Sequence, residues 1–121
     1  MLSAIDRLGD LLWARDARII EEFIDHPEVL LVGSEEREIA RGRGEIESLI
    51  AWLFALPERL RWDWRHRDVC VDGDIAWVFA DGKIVIASGD EEKRIPYRLS
   101  GVLQRTSGRW RWRQFHGSEP R

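Results

Sequence analysis

Three side chains of this 121-residue chain are of types that can move protons or hold an anion: Asp16, His116 and Arg98. A carboxylate facing an apolar interior has a raised pKa unless it is paired, and can serve as a general acid or base. An imidazole titrates near neutrality. A buried guanidinium needs an anion, on the chain or on a ligand. Each also has a structural reading. Asp16 can cap a second helical segment, although the residue three further on is Ile19 and forms no capping box. His116 can be satisfied in the core by a carbonyl or by Ser118. Arg98 can pair with Asp16. The trio is therefore either a polar network holding a hollow open or acid–base machinery. In the second case Asp16 and His116 exchange protons and Arg98 stabilises developing negative charge.

Seven tryptophans make up the second chemical feature. Trp13, Trp52, Trp62, Trp64, Trp77 and Phe79 can line an aromatic cavity for a flat apolar molecule. Alternation over residues 110–118 puts Trp110, Trp112, Gln114, His116 and Ser118 on one face, with Arg111, Arg113 and Phe115 on the other. The tryptophan face is expected inward, adding Trp112 and Gln114 to the wall. Ser100 shares a strand face with Arg98. Simple core packing is the competing reading for these aromatics.

Periodicity supplies the elements. Ile5, Leu8, Leu12, Ile19, Ile20 and Phe23 form one stripe, which predicts an amphipathic helix over residues 2–25 that Pro27 ends. Residues 28–32 read as a short strand and 33–44 as loop or one helical turn. Ile46, Leu49, Ile50 and Leu53 predict a second helix over 45–56. From Arg59 the period becomes two: Trp62, Trp64 and His66 alternate with charge. Asp72-Gly73 signals a hairpin, returning over 75–79. Asp81-Gly82 is either another turn or a bulge in one long strand. Strands follow over 95–105 and 110–118. Helices first and antiparallel strands after predict one α+β domain, with the helices laid on one face of a curved sheet.

Composition narrows the function. A net charge of −3 and pI of about 5.6 argue against general nucleic-acid binding. Arg61, Arg65, Arg67, Arg111 and Arg113 can form a stripe on the outer sheet face, but the tryptophans are expected to face away from it. Apolar runs are far short of a membrane span, and charges at Asp6, Arg7 and Asp10 leave no visible signal peptide. Cys70 is the single cysteine, so a reducing, cytoplasmic setting is expected. Arg41-Gly42-Arg43-Gly44 is too short for a phosphate-binding loop. The three histidines lack metal-ligand spacing. No cofactor and no metal are expected.

Several motifs occur in order. They are Trp13-x-x-Asp16, Val32-Gly33-Ser34-Glu35 with Gly42 or Gly44 and Ile46, and Gly73-Asp74-Ile75-Ala76-Trp77. Tyr97-Arg98-Leu99-Ser100-Gly101-Val102-Leu103 follows, then Gly108-Arg109-Trp110-Arg111 leading to His116-Gly117-Ser118-Glu119-Pro120. With these the chain resembles the nuclear transport factor 2-like superfamily, in its SnoaL-like (polyketide-cyclase-like) branch. The resemblance implies a cystatin-like cone, a ligand pocket between sheet and helices, and a homodimer through the outer sheet face. Relatives include isomerases, dehydratases, epoxide hydrolases, cyclases, and non-enzymatic transport or assembly modules. Ketosteroid isomerases, a worked pattern of acid–base tuning, carry a base two residues before the Val-Gly-Ser-like stretch; here that position is Leu30. The expected function is a pocket for a small apolar or cyclic molecule, with a cofactor-free isomerase, dehydratase or cyclase as one form. A non-catalytic ligand-binding or dimeric association module is the other.

Overall fold

The structure is a computed structural model and describes residues 2–120. The first helix, α1, spans Leu2–Ala14 and turns Ile5, Leu8 and Leu12 inward. It stops at Arg15, whose φ of 53° lies in the left-handed region. A 3₁₀ segment, Ala17–Glu22, follows with Asp16 as its N-cap. The apolar stripe therefore continues across a break, and the single helix expected over 2–25 is two pieces. The backbone then touches the sheet, where the Ile24 N–H donates to the Trp112 carbonyl at 2.9 Å.

Two short strands come next, β1 (Leu30–Val32) and β2 (Ile39–Arg41), and then α2 (Gly42–Phe54). The helix starts three residues before the expected position. Arg41 occupies the N-cap position without a side-chain cap, and its N–H donates to the Glu45 carboxylate at 3.0 Å. Four long strands complete the chain: β3 (Arg59–Asp72), β4 (Ile75–Ser88), β5 (Glu91–Thr106) and β6 (Arg109–Ser118). The sheet order is β2-β1-β6-β5-β4-β3. Adjacent strands run antiparallel except β1 and β6, which are parallel, so the sheet is mixed. Both helices and the 3₁₀ segment pack on one face. No helix is long and apolar enough to cross a membrane among the described residues.

Two bulges decide which side chains face the helices. In β3, Trp64 pairs with Gly82 and His66 with Asp81, so Arg65 is an extra residue. In β6, Trp112 pairs with Leu103 and Gln114 with Val102, so Arg113 is extra. One inserted residue reverses the facing of everything beyond it. Asp81-Gly82 is thus no turn but the partner of a bulge. A Cβ on Gly82 would strike the Asp63 carbonyl and approach the Trp64 Cα to 2.8 Å.

The core gathers Ile5 and Leu8 of α1, Phe23, Ile46 of α2, Leu99, Leu103 and Trp112. Among the described residues one charged side chain is buried with it: Glu22, only 2% exposed. Arg7 Nε donates to Glu22 Oε1 at 3.0 Å, and Arg109 donates to Oε2. Arg7 also donates to the Trp110 carbonyl at 3.2 Å. The carboxylate so ties α1, the 3₁₀ segment and β6 into one unit.

Candidate functional site

The helix break, the β6 bulge and the alternation of β5 disperse the three candidate catalytic residues. Asp16 is a cap: its Oδ1 accepts from the Arg18 N–H at 2.9 Å, and Oδ2 takes the Arg18 guanidinium at 2.6 Å. That bonding holds the Asp16 carboxyl below the ordinary carboxylate range, the reverse of the raised pKa expected for a pocket acid. Arg98 is exposed on the outer sheet face, 3.5 Å from Asp81 rather than paired with Asp16. His116 lies beyond the Arg113 bulge and is exposed on that same outer face, opposite Ser100. The proposed interior triad does not form.

The aromatic wall also divides. Trp52 and Trp62 line a cavity beneath the helices. Trp64 stacks on Trp62, with ring centroids 5.7 Å apart. Trp112 is fully buried in the core, outside the cavity lining. Trp13 is exposed under the guanidinium groups of Arg59 and Arg61. Trp77, Phe79, Ser100 and Gln114 face outward. His66 faces away from Trp62 and Trp64 because the Arg65 bulge intervenes. The expected arginine stripe is engaged: Arg61 with Glu92, Arg65 with Asp81, Arg67 with Asp6. Arg111 donates to the Thr106 hydroxyl and Arg113 to the Gln104 side-chain oxygen.

The cavity measures about 220 Å³. It exceeds the ~150 Å³ hollow that takes a benzene ring, so a single six-membered ring fits. Leu8 and Leu12 of α1, Ile50 and Leu53 of α2, and Leu60, Trp62, Ile84 and Phe115 of the sheet give it apolar sides. Its polar end comes from residues outside the expected set: Ser34, Glu35 and Glu38 of the β1–β2 loop, Tyr97 of β5, and Glu119 after β6.

Local backbone explains how these groups arrive. The Gly33 N–H donates to the Glu38 carbonyl at 2.7 Å, closing the loop. A Cβ on Gly33 would sit 2.7 Å from the Glu38 Cβ, so glycine leaves room for that side chain to fold over the loop. Glu38 Oε1 accepts from the Glu35 N–H at 2.9 Å. Tyr97 is 4% exposed, and its hydroxyl lies against Gly117, where any Cβ would overlap it.

Burial pushes the Glu38 carboxyl up from its usual range; the Glu35 N–H opposes this, and the like charges of Glu35 and Glu119 reinforce it. Tyr97 is pushed up as well, by burial first and then by Glu38 and Glu119, so the phenol is protonated throughout the physiological range. The Trp62 indole lies close enough to oppose this. Its N–H closes no hydrogen bond and stays buried without a partner. The arrangement offers a half-buried carboxyl that can take or give a proton, beside a phenol that can donate to an oxygen.

A stability consequence follows from Glu38. Its folded pKa is above its unfolded value, so its contribution is whole below the unfolded pKa and is lost as pH rises through the folded one. Glu38→Gln keeps an acceptor for the Glu35 N–H and removes the charge. The variant should melt ~2 °C above the wild type at pH 7.5, with the difference gone below about pH 4. Melting curves at the two pH values check this; a less stable variant at pH 7.5 contradicts it.

The alternation of β5 carried a usable signal. Tyr97, Leu99, Gly101 and Leu103 form an apolar row, against Arg98, Ser100, Val102 and Gln104. That pattern alone points Tyr97 inward and Arg98 outward. Glu38 had no such signal, because its position depends on the loop closing back on Gly33.

Comparisons with known proteins agree with this architecture. The model of the SnoaL-like domain matches residues 2–121. A search of curated proteins finds no match. Among solved structures, a proposed dehydratase of the NTF2-like family from Streptomyces avermitilis has a TM-score of 0.86 at 20% identity, covering 98% of this chain and 91% of that one. ActVI-ORFA from Streptomyces coelicolor has a TM-score of 0.81 at 17% identity, covering 98% and 92%. A proposed calcium/calmodulin-dependent protein kinase type II association domain from Thiobacillus denitrificans has 0.78 at 19%, covering 98% and 93%. An NTF2-like protein from Novosphingobium aromaticivorans is described as having a cystatin-like fold. At such identities the likeness shows the fold alone.

Proposed function

The chain belongs to the SnoaL-like domain family, and from that premise we propose that it is a single-domain, small-molecule-binding protein whose cavity takes one apolar ring and subjects it to cofactor-free proton transfer. The observation that carries this reading is the carboxyl of Glu38 beside the phenol of Tyr97 at the polar end of an otherwise apolar hollow. Glu38 removes or returns a proton on the ring. Tyr97 donates a hydrogen bond to an oxygen on which negative charge develops. Isomerisation, dehydration and cyclisation all share that step, and the one structural neighbour described as a proposed dehydratase supports it. Asp16, His116 and Arg98 stay outside this chemistry, because none of them lines the cavity. The exposed single Cys70 suits a reducing, cytoplasmic setting.

The test uses cyclohexanone, a neutral ring with one carbonyl. Saturable binding is followed through the Trp62 indole signal, and exchange of the protons next to the carbonyl is followed in deuterated water. Wild type should bind and accelerate exchange; Glu38→Gln should bind yet lose at least ~100-fold in exchange. Absence of binding removes the pocket reading. Binding without acceleration removes the proton-transfer step and leaves a ligand-binding module. That second reading has its own support in the outer sheet face, where Trp77 and Phe79 are 50% and 40% exposed. In both readings this face joins two copies of the chain, and relatives described as association domains support it.

A further inference from the structure

Among the described residues three buried side-chain nitrogens have no hydrogen-bond partner: Arg43 Nε, Trp62 Nε1 and Trp112 Nε1. A buried donor left unpaired has given up water for nothing, so each needs a physical reason. Arg43 is anchored through the rest of its guanidinium, whose Nη2 donates to the Ile20 carbonyl at 3.1 Å. Trp112 is fully buried in the core and fills space there. Trp62 alone of the three borders the cavity.

The surroundings of that indole are aromatic and close. Trp64 stacks on it at 5.7 Å between centroids, Phe115 lies at 5.6 Å, and the Tyr97 ring lies at 6.2 Å with the planes 38° apart. Sheet register explains the last contact. Gly82 of β4 stands between Trp64 of β3 and Tyr97 of β5, and it carries no side chain, so the indoles meet the phenol across β4. The helix side is covered too, since a Cβ on Gly9 of α1 would touch Trp62 Cε3 at 3.7 Å. Packing thus fixes the ring beside the phenol with its N–H unspent.

An indole N–H can only donate, whereas a tyrosine hydroxyl can donate or accept. When Tyr97 donates to a ligand oxygen, its own oxygen becomes a better acceptor, because bonds in a chain polarise one another. We infer that Trp62 is a positioning residue whose N–H closes onto the Tyr97 oxygen as the phenol donates to the ligand, which commits Tyr97 to the donor role and selects a ring bearing a carbonyl oxygen. The inference rests on the reading above and names its substrate class, a cyclic ketone. A ring carrying an ammonium offers donors where the phenol also donates, and is disfavoured. The bond strengthens as charge develops on the ligand oxygen, so its effect falls on turnover more than on affinity.

The test titrates cyclohexanone and cyclohexylammonium at pH 7.5 while the indole N–H signals are followed by NMR, that of Trp62 being identified by its absence from Trp62→Phe. In wild type the Trp62 N–H signal should move downfield as cyclohexanone binds, and the ammonium should bind at least ~10-fold more weakly. In Tyr97→Phe the Trp62 signal should stay in place. Trp62→benzothienylalanine keeps the ring and lacks the N–H. It should exchange the cyclohexanone protons ~10-fold more slowly in kcat, which is ~1.4 kcal/mol, with KM within ~2-fold of wild type. A signal that stays still while cyclohexanone binds, a shift that persists without the phenol, an ammonium that binds equally well, or a benzothienyl variant with wild-type kcat each overturns the inference and leaves the pocket reading standing. If wild type binds cyclohexanone without exchanging its protons, the two NMR arms alone decide. If wild type binds no cyclohexanone, the pocket reading fails and takes the inference with it.

Discussion

Glu22→Ala should lower the stability of the protein by about 3 kcal/mol and its melting temperature by ~10 °C. Glu22 is the buried hub between Arg7 and Arg109 and holds three elements together. Alanine removes the anion and leaves two guanidinium groups facing a space lined by apolar core. Removing one partner of a fully buried pair costs roughly 3–5 kcal/mol. Here both arginines keep more than a third of their side-chain surface in water and can rehydrate, which holds the loss to the lower part of that range. Glu22→Gln, which preserves shape and one acceptor, should lose about half as much. Urea denaturation with an unchanged m-value measures both. A Glu22→Ala variant within ~0.5 kcal/mol of wild type would show that the pair does not hold α1 to the sheet.

The second large effect concerns assembly. Trp77 and Phe79 stand on the sheet face that the helices leave uncovered. Register places Val102 beside Trp77 and Ser100 beside Phe79. Arg65, Asp81 and Arg98 form an ion-paired border next to them. Apolar side chains rimmed by paired charge make the pattern of an interface core with a polar rim, and large aromatics carry most of the binding energy at such centres. Replacing both with lysine should raise the dissociation constant of the proposed homodimer at least ~100-fold. The same change should leave the fold and the cavity alone, because both side chains point away from them. Sedimentation velocity on the two proteins reads this directly. A wild type that stays monomeric at high concentration would remove the dimer.

The helical stripes and the Asp72-Gly73 hairpin are readable from the sequence. Ile5, Leu8 and Leu12 mark α1 by spacing alone. Gly73, Gly89 and Gly108, all at positive φ, mark the turns. The mixed pairing was less accessible, because β1 has three residues and its parallel partner β6 lies at the far end of the chain. In β3 and β6 the facing departs from simple alternation for one reason. Alternation is a count of residues, and an insertion such as Arg65 or Arg113 breaks the count without altering composition. Counting alone groups His66 with Trp62 and Trp64, and His116 with Trp112, whereas the insertions turn both imidazoles outward. Asp16 posed a different problem. A helical stripe and a capped break present the same residues, and the choice was made by Arg15 entering the left-handed region and by the Arg18 N–H finding a side-chain acceptor. Glu38 reached the polar end through tertiary closure, which no local pattern announces.

The additional residue in β6 bears on how the interior tolerates change. It divides the strand into two lengths that answer to different masters. Residues before it serve the packing of Trp112 beneath the 3₁₀ segment, whereas Phe115 beyond it lines the cavity and Gly117 seats Tyr97. The two lengths still meet, because the Trp112 and Phe115 rings pack edge to face with centroids 5.5 Å apart, so a change in the wall of the cavity is felt by the framework that seats it.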